Sequence, residues 1–504
     1  MAILNIFQSL SLSSIILSVT VLGSLAFCLT FLSRRPSFPK NAPPLFRGGY
    51  PILGAYQFFT RRWDFFRHAS AASPSGNFSY YIGQHAVVGL SGDDSRKAFF
   101  ENRGLGFAEG YAVLFNMSPK VDTEKEEDMV SGSYFSSRIT RMLRKENFVR
   151  GLPQLIKDTR ARLDALAADP SGITDPFESI YKIVYQLTMR TVGANEIADD
   201  PVLLNKTLSL FETIEHSSQP STIIFPWLAS PAMIRRYIAG GKLYMVFKSI
   251  VDDRKRTGRR EDDALQYLID QGDSVNQIIG FVLGALFAGQ LNSGINACYV
   301  LCYLAQNPHW LSEARKEITA AGAKHSTNPD QPLVEQLASL SLEAWETEFP
   351  LLDMCLRDSI RLQLLGTAFR RNVSGHAIKI GTEVIPNGAF ATYHLDDVHQ
   401  DPAIYPDPET WDPSRYMPHR AEDKKKPHAF VGWGSSIHVC LGMRFAKLEQ
   451  NIIVAFFVAM FDFEVTDREG RSMKLPKTDR NGHAASKPSK PVYLKYRVRE
   501  KSGA

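Results

Sequence analysis

Three features of this 504-residue chain predict a mainly helical fold with small β-sheets behind a single N-terminal transmembrane helix. A charge-free apolar stretch spans residues 12–32. Amphipathic stretches with helical periodicity recur through the middle of the chain. Short β-rich runs bounded by turn residues lie on either side of them. With 44% apolar and 22% charged residues there is enough apolar surface for one large core around a cofactor, and no internal repeat or long linker divides it.

Residues 12–32 match the roughly 20 residues that a helix needs to cross a bilayer. The segment lacks a basic start and is too long for a signal-peptide core, so it reads as an anchor. Arg34, Arg35, Lys40 and Arg47 follow it, which by the positive-inside rule leaves residues 1–11 lumenal and the bulk of the chain cytoplasmic. Residues 33–52, with Pro36, Pro39, Pro43, Pro44 and Pro51, read as a stiff connector, and 53–504 as one catalytic domain.

Within that domain, strands are expected at 78–82 and 86–90. Helices are expected at 153–166, 176–192, 203–214, 233–254 and 350–362, three of them opening on a proline. Val275–Gln306 carries no charge and admits two readings, a second membrane span or a buried, kinked central helix. Gln277, Gln290, Asn292, Ser293 and Asn296, with four glycines, favour the buried helix. Strands at 377–380 and 383–385, a polar loop over 396–427, a last helix from near Leu441 and a strand at 492–497 complete the chain.

Five cysteines, at 28, 298, 302, 355 and 440, form neither a disulfide framework nor a zinc pattern, so the domain reads as reduced. The Asn-x-Ser/Thr triplets at Asn77, Asn116, Asn205 and Asn372 are accordingly read as unused. A net charge of +5 suits an anionic membrane or an acidic protein partner better than nucleic acid.

The chemistry concentrates around Cys440, which stands in a glycine-bearing loop directly before an amphipathic helix. Backbone N–H groups and the helix terminus at such a place favour a thiolate, as an anionic axial ligand requires. Upstream, Asp358 and Arg361 stand at i and i+3 of a helix, within pairing distance. Pro413-Ser-Arg415-Tyr416 follows later.

On these residues the chain resembles the cytochrome P450 superfamily from anchor to last helix. The resemblance implies a P450 fold and haem b with Cys440 as its axial thiolate. It places His438 at one propionate, Gly442 and Ala446 in the close-packed helix start, and Trp433, beside Gly434, where Phe usually shields the sulfur. Ser436 replaces a nearly invariant glycine and Ile437 a frequently basic residue. Asp358, Arg361 and Arg415 match a charge triad that folds the protein around haem, with Asp358 one methylene shorter than the usual Glu. Arg370 or Arg371 resembles the second propionate-binding arginine.

On the central helix, Gly289, Asn292 and Ser293 occupy the oxygen-activating segment, where Leu291 and Asn292 replace the family's acid and threonine. An Asn is familiar there in the sterol 7-hydroxylase and prostacyclin synthase branch. It donates a hydrogen bond but relays no proton as a hydroxyl does, so water or Ser293 must complete the path. Expected pocket walls are Phe107, Tyr111, Phe115, Leu286, Phe287 and 364–367. The apolar turn 223–228 resembles a loop that dips into the bilayer, and Arg420 with Lys424, Lys425 and Lys426 a basic docking face.

The implied function is a monooxygenase inserting one atom of O2 into a lipophilic small molecule such as a terpenoid, steroid or other secondary metabolite. Electrons would come from NADPH through NADPH–cytochrome P450 reductase, at the endoplasmic reticulum membrane. A haem-thiolate isomerase or dehydratase needing no external electrons is the alternative raised by Leu291 and Asn292. A haem-binding protein without turnover is a third, raised by Ser436 and Ile437.

Overall fold

The computed structural model describes residues 16–21, 23, 34–114, 133–217, 219–225, 228, 230–326, 328 and 330–499. Of the expected anchor only 16–21 and 23 fall among them; they are helical, with exposed side chains. The rest of 12–32, like Cys28, Phe115 and Asn116, lies outside the described residues.

Val275–Gln306 is the long central helix, opened by a capping box in which Ser274 and Gln277 bond each other's backbone N–H. Its most apolar window is 56% buried inside the protein, which selects the core helix over the membrane span. It is α-helical without a break, where the sequence predicts a kink. Pro176–Val192 packs closely along it, because Gly294 has no Cβ: one added there would lie 2.5 Å from the Tyr181 ring.

Helix starts follow local capping chemistry. Pro176–Val192, Pro201–His216 and Pro231–Thr257 begin with proline behind Asp175, Asp200 and Ser230, whose side chains accept backbone N–H groups of the first turn. The last two therefore start two residues before the periodicity predicts. Lys145–Ala167 differs more, since Pro153 sits inside it. The N–H that proline lacks would have served Val149, which is exposed, so water can take that carbonyl.

A five-stranded sheet has the order Phe78–Ile82, His85–Leu90, Phe390–His394, Thr367–Asn372, Leu105–Gly106. Its pairings are antiparallel except His85–Leu90 with Phe390–His394. The helix Phe107–Leu114 lies directly on the fourth of these strands. Gly110 makes that possible, because a Cβ there would be 2.6 Å from the backbone N and Cα of Arg370. A second sheet joins Phe461–Thr466, Tyr493–Val498 and Ile173–Thr174.

Candidate active site

The Cys440 loop is a small hairpin in which His438 pairs with Ser435 and Val439 with Gly434. Gly434 has φ +70°, and a Cβ on it would stand 2.2 Å from the His438 carbonyl oxygen. Ser436 forms the turn at φ +55°, a left-handed conformation that suits glycine better than serine. The Cys440 N–H donates to the Trp433 carbonyl at 2.7 Å, closing the loop. Gly442 then caps the last helix, Met443–Met460.

The backbone N–H groups of Gly442 and Met443 bond the Cys440 sulfur and lower its pKa, while partial enclosure by protein raises it more. The expected donors are therefore present, but without a positive partner they leave the thiol above its ordinary value. Cys440 is exposed, and so are Ile437, Val439 and Leu441 around it. Cys298, Cys302 and Cys355 are buried, with thiols pushed up by desolvation, the state of inert core cysteines. Trp433 packs half-buried against the core, and its indole N–H meets no acceptor among the described residues.

Arg370 is 3% exposed, with its guanidinium 4.9 Å from the Phe99 ring and 4.8 Å from the Phe107 ring. Its Nη1 donates to the Phe369 carbonyl at 2.8 Å, its Nε is buried without a partner, and no carboxylate pairs with it among the described residues. Burial lowers its pKa to about 10. His438 stacks on Phe107 at 5.3 Å, and both desolvation and the Arg370 charge lower its pKa. Phe107 stacks in turn on Tyr111 at 4.5 Å. Arg371, next along the strand, faces outward and donates to the Gly388 carbonyl at 3.2 Å. The structure thus separates the two candidate arginines.

On the central helix, Ala288 is exposed midway along a largely buried stretch, and Gly289 has nothing within 4 Å of where a Cβ would be. Asn292 Nδ2 donates to the Ala288 carbonyl at 3.1 Å, so part of its donor capacity is spent on its own helix. Ser293 is buried, and its backbone carbonyl accepts from Gln450 Nε2 of the last helix at 2.8 Å, next in sequence to the buried Glu449. Leu286 is fully buried in the core and lines no open space, contrary to expectation, whereas Phe287 is half-buried against Phe211 at 5.0 Å.

Asp358, Arg361 and Arg415 come together in a wholly buried cluster. Arg361 Nε lies 2.7 Å from Asp358, and its other nitrogens donate to the carbonyls of His399, Pro408 and Thr410. Asp358 also accepts from the Asp412 N–H at 2.7 Å and the Tyr416 hydroxyl at 3.1 Å. Arg415 stands 3.9 Å away, and its hydrogen-bonded carboxylate is instead Glu422 at 2.9 Å. The missing methylene of Asp358 shortens its reach, and Glu422 supplies the second anion. Sequence reading did not find Glu422 or Glu449. The signal for Glu449 is an acid inside the apolar stripe of Phe445, Ile452 and Phe456.

The basic stretch after the cluster is largely neutralised within the chain. Arg420 pairs with Asp412 and Glu422, Lys426 with Asp93, and Lys425 donates to the Ile404 carbonyl.

Comparison with known proteins gives one consistent answer. The family model for cytochrome P450 matches residues 43–496. The chain is 36% identical over 489 residues to the cytochrome P450 monooxygenase AacuE of Aspergillus aculeatus, covering 95% of this chain and 97% of that protein. It is 34% identical to the cytochrome P450 monooxygenase dmxR5 of a Cryptosporiopsis species, covering 97% and 95%. Among solved structures, retinoic acid-bound cyanobacterial CYP120A1 superposes with a TM-score of 0.72 at 19% identity, over 92% of this chain and all of that one.

Proposed function

This chain belongs to the cytochrome P450 family as a monooxygenase, and from that membership we propose that it hydroxylates a lipophilic secondary metabolite at the endoplasmic reticulum membrane. Residues 12–32 would anchor it there, and 53–504 would form its cytoplasmic catalytic domain. Electrons would come from NADPH through a separate reductase. The observation that carries the site is a loop thiol two residues from His438, which feels the charge of the buried, unneutralised Arg370.

The residues fit the family's haem. Arg370 offers positive charge and His438 a ring N–H that carboxylates can complete, and Arg370 has an orphaned donor ready for one. Ile437, Val439 and Leu441 give apolar surface beside the sulfur. Cys440 would hold the iron, with Gly434 and Gly442 keeping the backbone close and Trp433 shielding the sulfur. When bound, haem with a thiolate ligand supplies the oxidant that attacks unactivated C–H bonds.

Each residue then has a definite task. Cys440 would give up its proton when it holds the iron, and the Gly442 and Met443 N–H groups would take up part of the resulting charge. Asp358, Arg361, Arg415 and Glu422 hold the polar loop that leads into the hairpin, since His399 accepts the Val431 N–H and Tyr405 donates to the Ala429 carbonyl. Gly289 leaves room beside the central helix, and Asn292 offers its carbonyl oxygen and remaining N–H to a substrate or water there. Phe107 and Tyr111 give an aromatic wall that suits a flat apolar substrate.

The isomerase reading has Leu291 and Asn292 in its favour, while the relatives above are monooxygenases. The deciding measurement is the carbon monoxide difference spectrum of membranes carrying the full chain, reduced by dithionite and by NADPH with reductase. A thiolate-type band under both conditions is expected, and its complete loss in Cys440→Ala. A band with dithionite alone, also with substrate present, would favour the isomerase. A band surviving in Cys440→Ala would remove the ligand assignment.

A further inference from the structure

The helix Asp93–Glu101 grips the loop that leads into the Cys440 hairpin at three successive residues. Asp93 pairs with Lys426 at 2.8 Å, the buried Arg96 donates to the Pro427 carbonyl at 3.2 Å, and Glu101 meets His428 Nε2 at 3.1 Å. Asp93, Arg96 and Phe100 share one face of that helix, and the Phe100 ring lies 5.6 Å from the His428 ring.

His428 is the member that reaches the hairpin. Its Nδ1 stands 2.6 Å from Ser435 Oγ, and its side chain is 11% exposed. Among the described residues this is the one side-chain hydrogen bond made by any of residues 434–439. The backbone of His428 is left-handed at φ +54°, a conformation that costs a non-glycine residue about 1–2 kcal/mol. Strain of this kind persists only where surrounding contacts hold it.

The Glu101 carboxylate can only accept, so it takes the Nε2 proton and leaves Nδ1 to accept from the Ser435 hydroxyl. A charged ring would donate at both nitrogens, and the hydroxyl would turn to accept. The link therefore holds in either state of the ring. The hairpin has little else to hold it in shape: it has two residue pairs, and Gly434 at φ +70° and the strained Ser436 at φ +55° flank Ser435.

We infer that His428, held by Glu101, is a positioning residue for Cys440: it fixes the hairpin through Ser435 and so offsets the strain that Ser436 brings to the turn. The inference rests on the haem-thiolate reading of Cys440. Cys440 directly follows the second strand, His438–Val439, and its N–H donates to the Trp433 carbonyl beside the first. A hairpin released at Ser435 would let the strand that ends at Cys440 drift, so the sulfur would lose its alignment before the rest of the fold is disturbed.

The test uses the full-length, haem-loaded protein in membranes as wild type, Ser435→Ala, Ser435→Thr, His428→Phe and the double variant Ser435→Ala with Ser436→Gly. In mild urea, the reduced carbon monoxide spectrum is followed as the thiolate-type band gives way to the shorter-wavelength band of a lost thiolate. Ser435→Ala and His428→Phe are expected to convert several-fold faster than wild type, Ser435→Thr to stay close to it, and Ser436→Gly to return most of what Ser435→Ala loses. Helix unfolding of the detergent-purified protein, followed by circular dichroism, should change little in Ser435→Ala, which a general loss of stability would not allow. Independently of haem, mass spectrometry of haem-free protein treated with an alkylating reagent should show Cys440 modified several-fold faster in Ser435→Ala, with Cys298, Cys302 and Cys355 protected. If His428→Phe does not fold, Ser435→Ala and Ser435→Thr decide. Absence of a thiolate band in wild type would count against the site reading alone, and alkylation would still decide the clamp. Equal rates in wild type and Ser435→Ala, or equal acceleration in Ser435→Ala and Ser435→Thr, would overturn it.

Discussion

Arg361 and Arg370 are both almost completely buried, yet the protein treats their charges in opposite ways. Arg361 is held by Asp358 and three backbone carbonyls, and its proton affinity is raised. Arg370 has one carbonyl, two aromatic faces and an idle Nε, and its pKa falls to about 10. The first charge is completed by the chain itself. The second is left without a counter-charge among the described residues, and an uncompensated buried cation of this kind marks a candidate site while a compensated one marks scaffold.

Breaking the finished cluster should have the largest effect. Asp358→Ala leaves Arg361 buried without its carboxylate, at a cost of about 4 kcal/mol, read as loss of folded, haem-containing protein on expression. Arg370→Met should separate the two regions by sign: the haem-free fold is expected to gain up to about 1 kcal/mol in denaturant titration, because a desolvated charge disappears. The loaded protein should nonetheless release its haem faster. A loss of haem-free stability as large as that of Asp358→Ala would mean that Arg370 belongs to the scaffold.

Gly110→Ala tests the wall that positions Arg370. Its methyl group would press on the Arg370 backbone, and overpacking of this kind costs about 2 kcal/mol, with a weakened haem spectrum expected. The smallest effect should be a gain. Ser436→Gly relieves the left-handed backbone at φ +55° and is expected to stabilise the hairpin by about 1 kcal/mol, measured by thermal unfolding of the loaded protein.

Much of the site was legible along the chain because it is contiguous there. Trp433 to Gly442 form one hairpin and helix start, and Asp358 with Arg361 share one helical turn. Glu422 and Glu449 were not legible, because the surroundings of each come from far away in sequence. Glu422 substitutes where Asp358 falls short of Arg415, a question of a side chain's reach across a folded loop. Glu449 looks like an ordinary helix acid until packing buries it, next to Gln450 and its bond to the Ser293 carbonyl of the central helix.

The sequence by itself determined the helix starts, through proline behind Asp175, Asp200 and Ser230, and it determined the Cys440 loop, through glycine and the following helix. These are choices made within a turn or two of backbone, where capping and φ/ψ limits act. Only the tertiary structure decided that Val275–Gln306 is core, that Arg370 faces inward while Arg371 faces out, and that the acid Glu449 is buried. Burial and charge compensation are sums over segments distant in the chain, so no local pattern contains them.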